Sequence, residues 1–407
     1  METEERGALH GLKVLDFSWV IAGPETTRYL AFHGATVVKV ESKSRLDIFR
    51  AYIPMAEGIP GINRCGAFDA YNTDKYDITI DLNKQKGVSI IKRLVAWADV
   101  VVENFMPGTM EKWNLGYDDL KGIRNDIIMI SFSMQGQTGP HSQVAGFGTE
   151  LQSLVGYTNL MGWPDRPPSG TNSPYTDFVV PWYGITAIMA ALDYRERTGK
   201  GQHLDIGQLE AGASFLSSAI LDYTVNNTTA TPRGNRSDYA APHGAYRCKG
   251  DDRWCAIAVH NDDEWMGFCN AVGNLSWTTE PRFSTLSGRK KNEDELDKLT
   301  ESWTLGHTHG EVMTKMQEWG VPSGIVATGQ DIHSDLQLRH RAHFKLLDHP
   351  EMGKHSYESP SWRLSKTSGK IQRPSPCLGE HTEHVCREIL GMSDEEFIEL
   401  LQEGIFE

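Results

Sequence analysis

The chain has 407 residues, 39 % of them apolar and 23 % charged, and a formal net charge of −14. That size and balance suit an ordinary globular protein of two domains, or of one large domain carrying an insertion. The acidic excess argues against a nucleic-acid or anionic-membrane partner, which would need local positive charge, but a small anionic ligand needs only a basic pocket.

The first strand is expected at Val14-Leu15-Asp16-Phe17. Ala22-Gly23-Pro24 opens a helix running to Phe32, Gly34 stops it, and Thr36–Val40 is a second strand. This is a β–α–β unit. Further strands are expected at Asp77–Leu82, Ala98–Glu103 and Ile127–Ser131, with helices near Lys86–Ala96 and Tyr117–Ile123 between them. The alternation predicts an α/β fold with a mostly parallel, doubly wound sheet. The first turn, Ser18-Trp19-Val20-Ile21-Ala22-Gly23-Pro24, lacks the glycine fingerprint of dinucleotide folds, so a nicotinamide cofactor is not expected.

Gly136–His141 and Pro164–Pro174 read as loops. An alanine-rich helix is expected over Tyr183–Arg195, a strand over His203–Ile206 and a helix over Gln208–Leu221. Composition changes after Asn226. Thr228–Asp238 resembles a linker, and Gly244–Cys248 with Trp254–Val259 forms a candidate hairpin. Helices follow near Glu264–Val272, Asn292–Trp303 and Gly310–Trp319. The expected organisation is a large Rossmann-like domain over 1–225, a smaller α+β domain over 226–326, and a return to the large domain over 327–407. Ser393-Asp394-Glu395-Glu396 caps a final amphipathic helix.

Six cysteines occur and none forms a Cys-x-x-Cys pair, so no zinc site is expected. His381 and His384 with Glu380 and Glu383 have no further ligands nearby and are read as surface residues, not a metal site. Thr3-Glu4-Glu5-Arg6 is unlike a signal peptide, and no apolar run has membrane-spanning length. A cytoplasmic protein with reduced thiols is the expectation.

Asp177 is the carboxylate singled out for chemistry. It lies in Ser173-Pro174-Tyr175-Thr176-Asp177-Phe178 with no cationic residue within several positions, just ahead of the alanine-rich helix. Such a carboxylate is a candidate nucleophile. On the residues alone it is equally a candidate N-cap of that helix.

Several motifs recur in order along the chain. They are Leu12–Phe17, Ala22-Gly23-Pro24, Gly34–Glu41, Ala98–Phe105 with Pro107-Gly108, Gly136–Pro140, Arg197–Gln202, Gly320–Gly324 and Leu378–Thr382. Each alone is weak; their order and spacing together resemble the family III CoA-transferases, the group typified by formyl-CoA transferase and carnitine CoA-transferase. The resemblance implies a Rossmann-like large domain with a smaller domain, and an interlocked dimer or a heterodimer with a homologous subunit. It also implies acyl-CoA and a carboxylic acid as substrates, with no tightly bound cofactor.

The family's nucleophile is an aspartate one helix ahead of a Thr-Gly-Lys-Gly turn, here Thr198–Gly201, and Asp177 holds the matching place better than Asp193 does. Lys43, Arg50, Lys75 and Lys112 lie at or near the family's basic positions, and Asn104 and Phe105 match its CoA-contacting pair. The other reading is solvated surface charge for the basic residues and core packing for Phe105. A carboxylate can attack a donor thioester, pass through a mixed anhydride and hold CoA as an enzyme thioester, which retains the thioester's free energy. The Ser18–Gly23 turn is the expected source of N–H groups for the oxyanions on that path.

Trp19, Val20 and Ile21 are the expected substrate pocket. The formyl enzyme has His and Gln where this chain has Trp19 and Ile21, so the resemblance implies a more apolar pocket for a bulkier acid. Arg236 and His243 are candidates for holding an acceptor carboxylate, or plain linker residues. Pro232–Trp254 is similar to benzylsuccinate CoA-transferase subunits, which implies succinyl-CoA as donor and an aromatic dicarboxylate as acceptor. Rival readings are an acyl-CoA racemase, an intramolecular CoA-transferring isomerase and a non-catalytic subunit. Phe147 and Gly148 cannot move a proton where the racemases have His and Asp, which counts against the first.

Overall fold

The computed structural model describes residues 7–407. The charged stretch Thr3-Glu4-Glu5-Arg6 discussed above lies outside the described residues. The first stretch of chain forms β1 (Lys13–Asp16), α1 (Ala22–Phe32), β2 (Thr36–Glu41), α2 (Gly66–Tyr71), β3 (Tyr76–Thr79), α3 (Gln85–Trp97), β4 (Val100–Glu103), α4 (Thr109–Lys112), α5 (Tyr117–Ile123) and β5 (Ile128–Ser133). It continues as α6 (Gly148–Val155), α7 (Tyr157–Leu160), α8 (Tyr175–Thr198), β6 (His203–Gly207), α9 (Gln208–Ser214) and α10 (Ser217–Asn226). The six strands make one sheet in the order β3-β2-β1-β4-β5-β6, every pair parallel. Chain direction across the sheet reverses between β1 and β4, and folds of this kind open a crevice there, beyond the carboxyl ends of the strands.

The strands read as unbroken apolar runs because both faces are covered. Leu15, Val38, Ile78 and Val101 pack against α3 and α5 on one side. Val14, Val37, Val100 and Ile130 meet α1 and α8 on the other. Helix α8 comes closest at Gly184, where an added Cβ would lie 2.4 Å from the Phe132 ring. It begins at Tyr175 rather than Tyr183 and contains Pro181. The helix expected over Gln208–Leu221 breaks into α9 and α10.

The chain divides into two compact units. One comprises the chain up to Thr158, Gly170–Thr229 and Gln337–Glu407; the other comprises Asn159–Ser169 and Ala230–Leu336. The second unit therefore starts close to residue 226, runs ten residues past 326, and takes in a stretch that reads as loop in the sequence. It holds an antiparallel sheet of β7 (His243–Arg247), β8 (Trp254–Ala258) and β9 (Ser323–Ile325). Trp265, Phe268 and Phe283 pack in its core. In the first unit, the returning tail adds a hairpin that the sequence reading missed, β10 (Phe344–His349) with β11 (Gly353–Glu358). Asp69 of α2 fastens it, accepting from Tyr357 Oη at 2.9 Å and lying 2.5 Å from His355 Nε2.

A row of buried charges crosses the sheet from the carboxyl end of β1 through β2 to the start of β3. Asp16 is in register with Lys39, and Lys39 with Asp77. Lys75 donates to Asp16 at 3.1 Å, and Arg50 donates to Glu41 at 2.6 and 2.8 Å while stacking on the Phe68 ring at 3.6 Å. All of these side chains are buried. Burial works against the Glu41 carboxylate, but Arg50 and Lys39 outweigh it and hold its carboxyl down at about 2. Burial and the Glu41 charge push Asp77 well above its ordinary range, against the pull of Arg50, which donates to it at 3.3 Å. Removing one partner strands the other in a low dielectric. Arg50→Leu is therefore expected to destabilise the protein by roughly 3–5 kcal/mol, read as a lowered urea midpoint. A loss below about 1 kcal/mol, the range of a surface pair, would show that the row does not hold the fold.

Candidate active site

The β1–α1 turn is built on that row. Val20 has φ +68°, a left-handed backbone that a β-branched residue adopts only under constraint. Three contacts supply the constraint. Lys39 Nζ donates to the Ser18 carbonyl at 2.6 Å, and the Val20 N–H donates to the Asp47 carboxylate at 3.2 Å. The Asn104 amide clamps Trp19 at both ends, accepting its N–H at 2.8 Å and donating to its carbonyl at 2.7 Å.

The turn forms one wall of a cavity of about 1020 Å³ at the carboxyl ends of the strands. Trp19, Val20, Ile21 and Ala22 follow β1, Ser42, Ser44 and Arg45 follow β2, and Asp81–Asn83 follow β3. Asn104–Pro107, Lys112 and Trp113 come after β4. Ser133 and Met134 end β5, Gln208 opens α9, and Val144–Gly148 lead into α6. Trp19, Phe105 and Trp113 form an edge-to-face aromatic wall with ring spacings of 5.5 and 5.9 Å. The Arg45 guanidinium lies 5.7 Å above the Trp19 ring.

Asp177 reaches the same cavity from the first turn of α8. It is the third residue of that helix and Pro174 is the N-cap, so the capping role is ruled out. Pro181 cannot return the hydrogen bond that the Asp177 carbonyl would receive four residues on. Asp177 is 8 % exposed. It presses on Gly148, where an added Cβ would fall 2.7 Å from Oδ2; only glycine leaves room for it. Burial alone pushes its carboxyl up to about 7, and no cation or hydrogen-bond donor among the described residues offsets that. Two helix starts oppose burial, since the first turn of α8 and the Gly148 end of α6 both favour negative charge. The group can therefore titrate near neutrality and still ionise.

The expected site residues separate into two groups. Trp19, Val20, Ile21, Asn104, Phe105, Lys112 and Asp177 share the cavity. Arg50 and Lys75 do not: both are buried and satisfied inside the charge row, Lys75 by Asp16, Asn72 and the Pro24 carbonyl. Lys43 is exposed and off the cavity wall, which takes Arg45 instead. The Asn104 amide serves the turn. Arg236 is held by Asp294 and Glu293 within the second unit, and His243 Nδ1 meets the Asn235 carbonyl. Nor can the middle of the turn supply oxyanion donors, because the N–H groups of Ser18, Trp19 and Val20 are engaged by Asp16, Asn104 and Asp47. What remains is the start of α1, which no side chain caps and where Ala22 lines the cavity. Sequence reading missed Arg45, Ser133 and Gln208. The available signal was position, since each lies at or within four residues of the carboxyl end of a strand, β2, β5 or β6.

A buried carboxyl whose pKa rises on folding weakens the fold when it ionises. The penalty is full above about pH 7, fades as pH falls through that value, and vanishes below the ordinary value of about 4. Asp177→Asn should therefore unfold later than the parent at pH 8, by roughly 1–4 kcal/mol, with the gap closing toward pH 4. Equal melting curves at pH 8 would mean that the carboxylate is not desolvated.

The model of CoA-transferase family III matches residues 9–382. The succinyl-CoA–D-citramalate CoA-transferase of Chloroflexus aurantiacus is 32 % identical over 392 residues, 95 % of each chain. The succinyl-CoA:glutarate CoA-transferase of Mus musculus is 30 % identical over 400 residues, 98 % of this chain and 90 % of that one. A crystal structure of a CAIB/BAIF family protein from Brucella suis superposes with a TM-score of 0.86 at 30 % identity, covering 94 % of this chain and 100 % of that one. With a match that runs through nearly the whole chain, this protein belongs to CoA-transferase family III and is a CoA-transferase.

Proposed function

We propose that this enzyme moves CoA from succinyl-CoA to a dicarboxylic acid and that Asp177 holds the CoA between them as an aspartyl thioester. One observation bears most of the weight: a buried carboxylate stands in the crevice with no ionic partner among the described residues. The acids of the charge row are paired, as Asp16, Glu41 and Asp47 are, and Glu103, which is likewise buried without an ion pair among the described residues and pushed up to about 7, lies off the cavity wall. The donor assignment follows the relatives, whose names pair succinyl-CoA with citramalate and with glutarate.

The Asp177 carboxylate attacks the thioester carbonyl, expels the CoA thiolate and becomes a mixed anhydride with the donor acid. The thiolate then attacks the aspartyl carbon, frees the donor carboxylate and leaves an aspartyl-CoA thioester. The acceptor carboxylate displaces thiolate from that thioester, and the thiolate takes the acceptor's acyl carbon, restoring Asp177. The first N–H groups of α1 are the donors for the oxyanions. Arg45 and Lys112, the cations on the cavity wall, suit CoA phosphates, and Phe105 suits contact with the rest of the cofactor. Asn104 acts through Trp19. The apolar Trp19–Ile21 turn favours an acid larger than formate, and benzylsuccinate belongs in the acceptor panel beside aliphatic dicarboxylates.

A second chain completes the picture. Helix α10 buries none of its residues and exposes Ile220, Leu221, Tyr223 and Val225, with Phe215 exposed just before it. A dimer, interlocked as in this family, would cover them. Two relatives are the alpha and beta subunits of a succinyl-CoA–L-malate CoA-transferase, so a heteromer is an alternative assembly. The compartment proposed is the cytoplasm; no helix among the described residues is long and apolar enough to cross a membrane.

Hydroxylamine added during turnover with succinyl-CoA is expected to convert Asp177 to its hydroxamate, detected by peptide mass. Asp177→Ala should lose activity by roughly 10³-fold or more. An unlabelled, undiminished enzyme would end the nucleophile assignment. In the parent enzyme, kcat/KM should fall on the acid side with a midpoint near 7, because only the ionised carboxylate attacks. A midpoint near 4 would contradict the burial argument.

A further inference from the structure

Two polar side chains in the catalytic cavity are left without partners. The Ser133 hydroxyl and the Gln208 amide oxygen are buried, line the cavity that holds Asp177, and have no hydrogen-bond partner among the described residues. Relative exposure is 5 % for Ser133 and 8 % for Gln208. Strand pairing puts them side by side, because Ser133 is in register with Gly207 and Gln208 comes next in the chain. Orphaned buried polar atoms are uncommon, and in a binding cavity they point to a ligand group that completes them.

The chemistry of the pair narrows the ligand. An amide oxygen accepts only, so its partner must donate. Carboxylates and thioester carbonyls have no proton to offer. A hydroxyl does, and the same hydroxyl oxygen can accept from Ser133. The cations of the cavity wall, Arg45 and Lys112, follow β2 and β4, whereas this pair ends β5 and opens α9. The group recognised here is therefore polar and uncharged. We infer that Ser133 and Gln208 form a hydroxyl-recognition site, so that the preferred acceptor is a hydroxy acid. This rests on the CoA-transferase reading above and names the substrate class of that same site.

The test measures transfer from succinyl-CoA to paired acids that differ only in the hydroxyl: 2-hydroxyglutarate with glutarate, and citramalate with methylsuccinate. The parent enzyme is expected to favour the better hydroxy member by about tenfold or more in kcat/KM. Gln208→Leu and Ser133→Ala should each bring that ratio toward one. A ratio between two acids is immune to partial misfolding, which scales both rates alike. Transfer with a parent ratio near one, or variants that keep the parent ratio, overturns the inference while leaving the CoA-transferase reading intact. Variants that lose rate equally on all acids through a raised KM for succinyl-CoA also overturn it, since the pair would then serve the pantetheine amides. No transfer to any acid would overturn both readings.

Discussion

A row of opposite charges buried across β1–β3 is the constraint on which the site depends. The carboxylates of Asp16, Glu41 and Asp47 face Lys39, Arg50 and Lys75, and Arg50 also reaches Asp77. Such a cluster contributes little net stability compared with an apolar replacement. What it provides is direction. Lys39 pulls on the Ser18 carbonyl and Asp47 on the Val20 N–H, forcing Val20 into a backbone that valine resists. Strain of that kind, worth about 1–3 kcal/mol, persists only where the surroundings over-determine it. The row and the Asn104 clamp are those surroundings, and the cavity wall owes its shape to them.

Asp177 is treated in the opposite way. The row neutralises each acid by a cation in contact; Asp177 has no such cation among the described residues. Its only compensation is the diffuse field of two helix starts, which favours the anion without forming a bond that the proposed nucleophile would have to break. A salt-bridged aspartate would be ionised but inert, its lone pairs held by a guanidinium. A fully desolvated one would stay protonated. The arrangement around Gly148 falls between these limits.

Sequence patterns revealed much of this and missed the rest for identifiable reasons. The β1–α1–β2 unit and the later parallel strands were legible because strands buried on both faces appear as unbroken apolar runs. Asp177 was legible through its isolation in the sequence. Arg50 and Lys75 were misassigned because their partners are distant along the chain: Lys75 meets Asp16 59 residues away, and only the sheet register reveals the pairing. Propensity gives no warning of the positive φ at Val20, since valine is among the residues least suited to it. The start of α8 was placed late because Pro181 reads as a helix breaker, whereas it lies early enough in the helix to remove only a bond near its first turn. The β10–β11 hairpin has little apolar alternation to detect; much of its hold comes from Asp69 of α2 and from partners far away in the sequence.

The two treatments of charge also explain where polar atoms go unpaired. In the row, each charged side chain named has a partner, because an unsatisfied buried charge would be too costly to keep. Across the sheet, at the ends of β5 and β6, neutral groups are left open at Ser133 and Gln208. A neutral orphan costs about 1–3 kcal/mol, a tolerable penalty that a ligand can return on binding. An orphaned ion would distort the fold or change its protonation before any substrate arrived. A cavity that must stay open between turnovers can therefore keep unpaired amides and hydroxyls, and a single ionisable group tuned near neutrality, but no second bare charge. The cations on its wall fit this rule, since Arg45 and Lys112 are both exposed to water and need no partner while they wait.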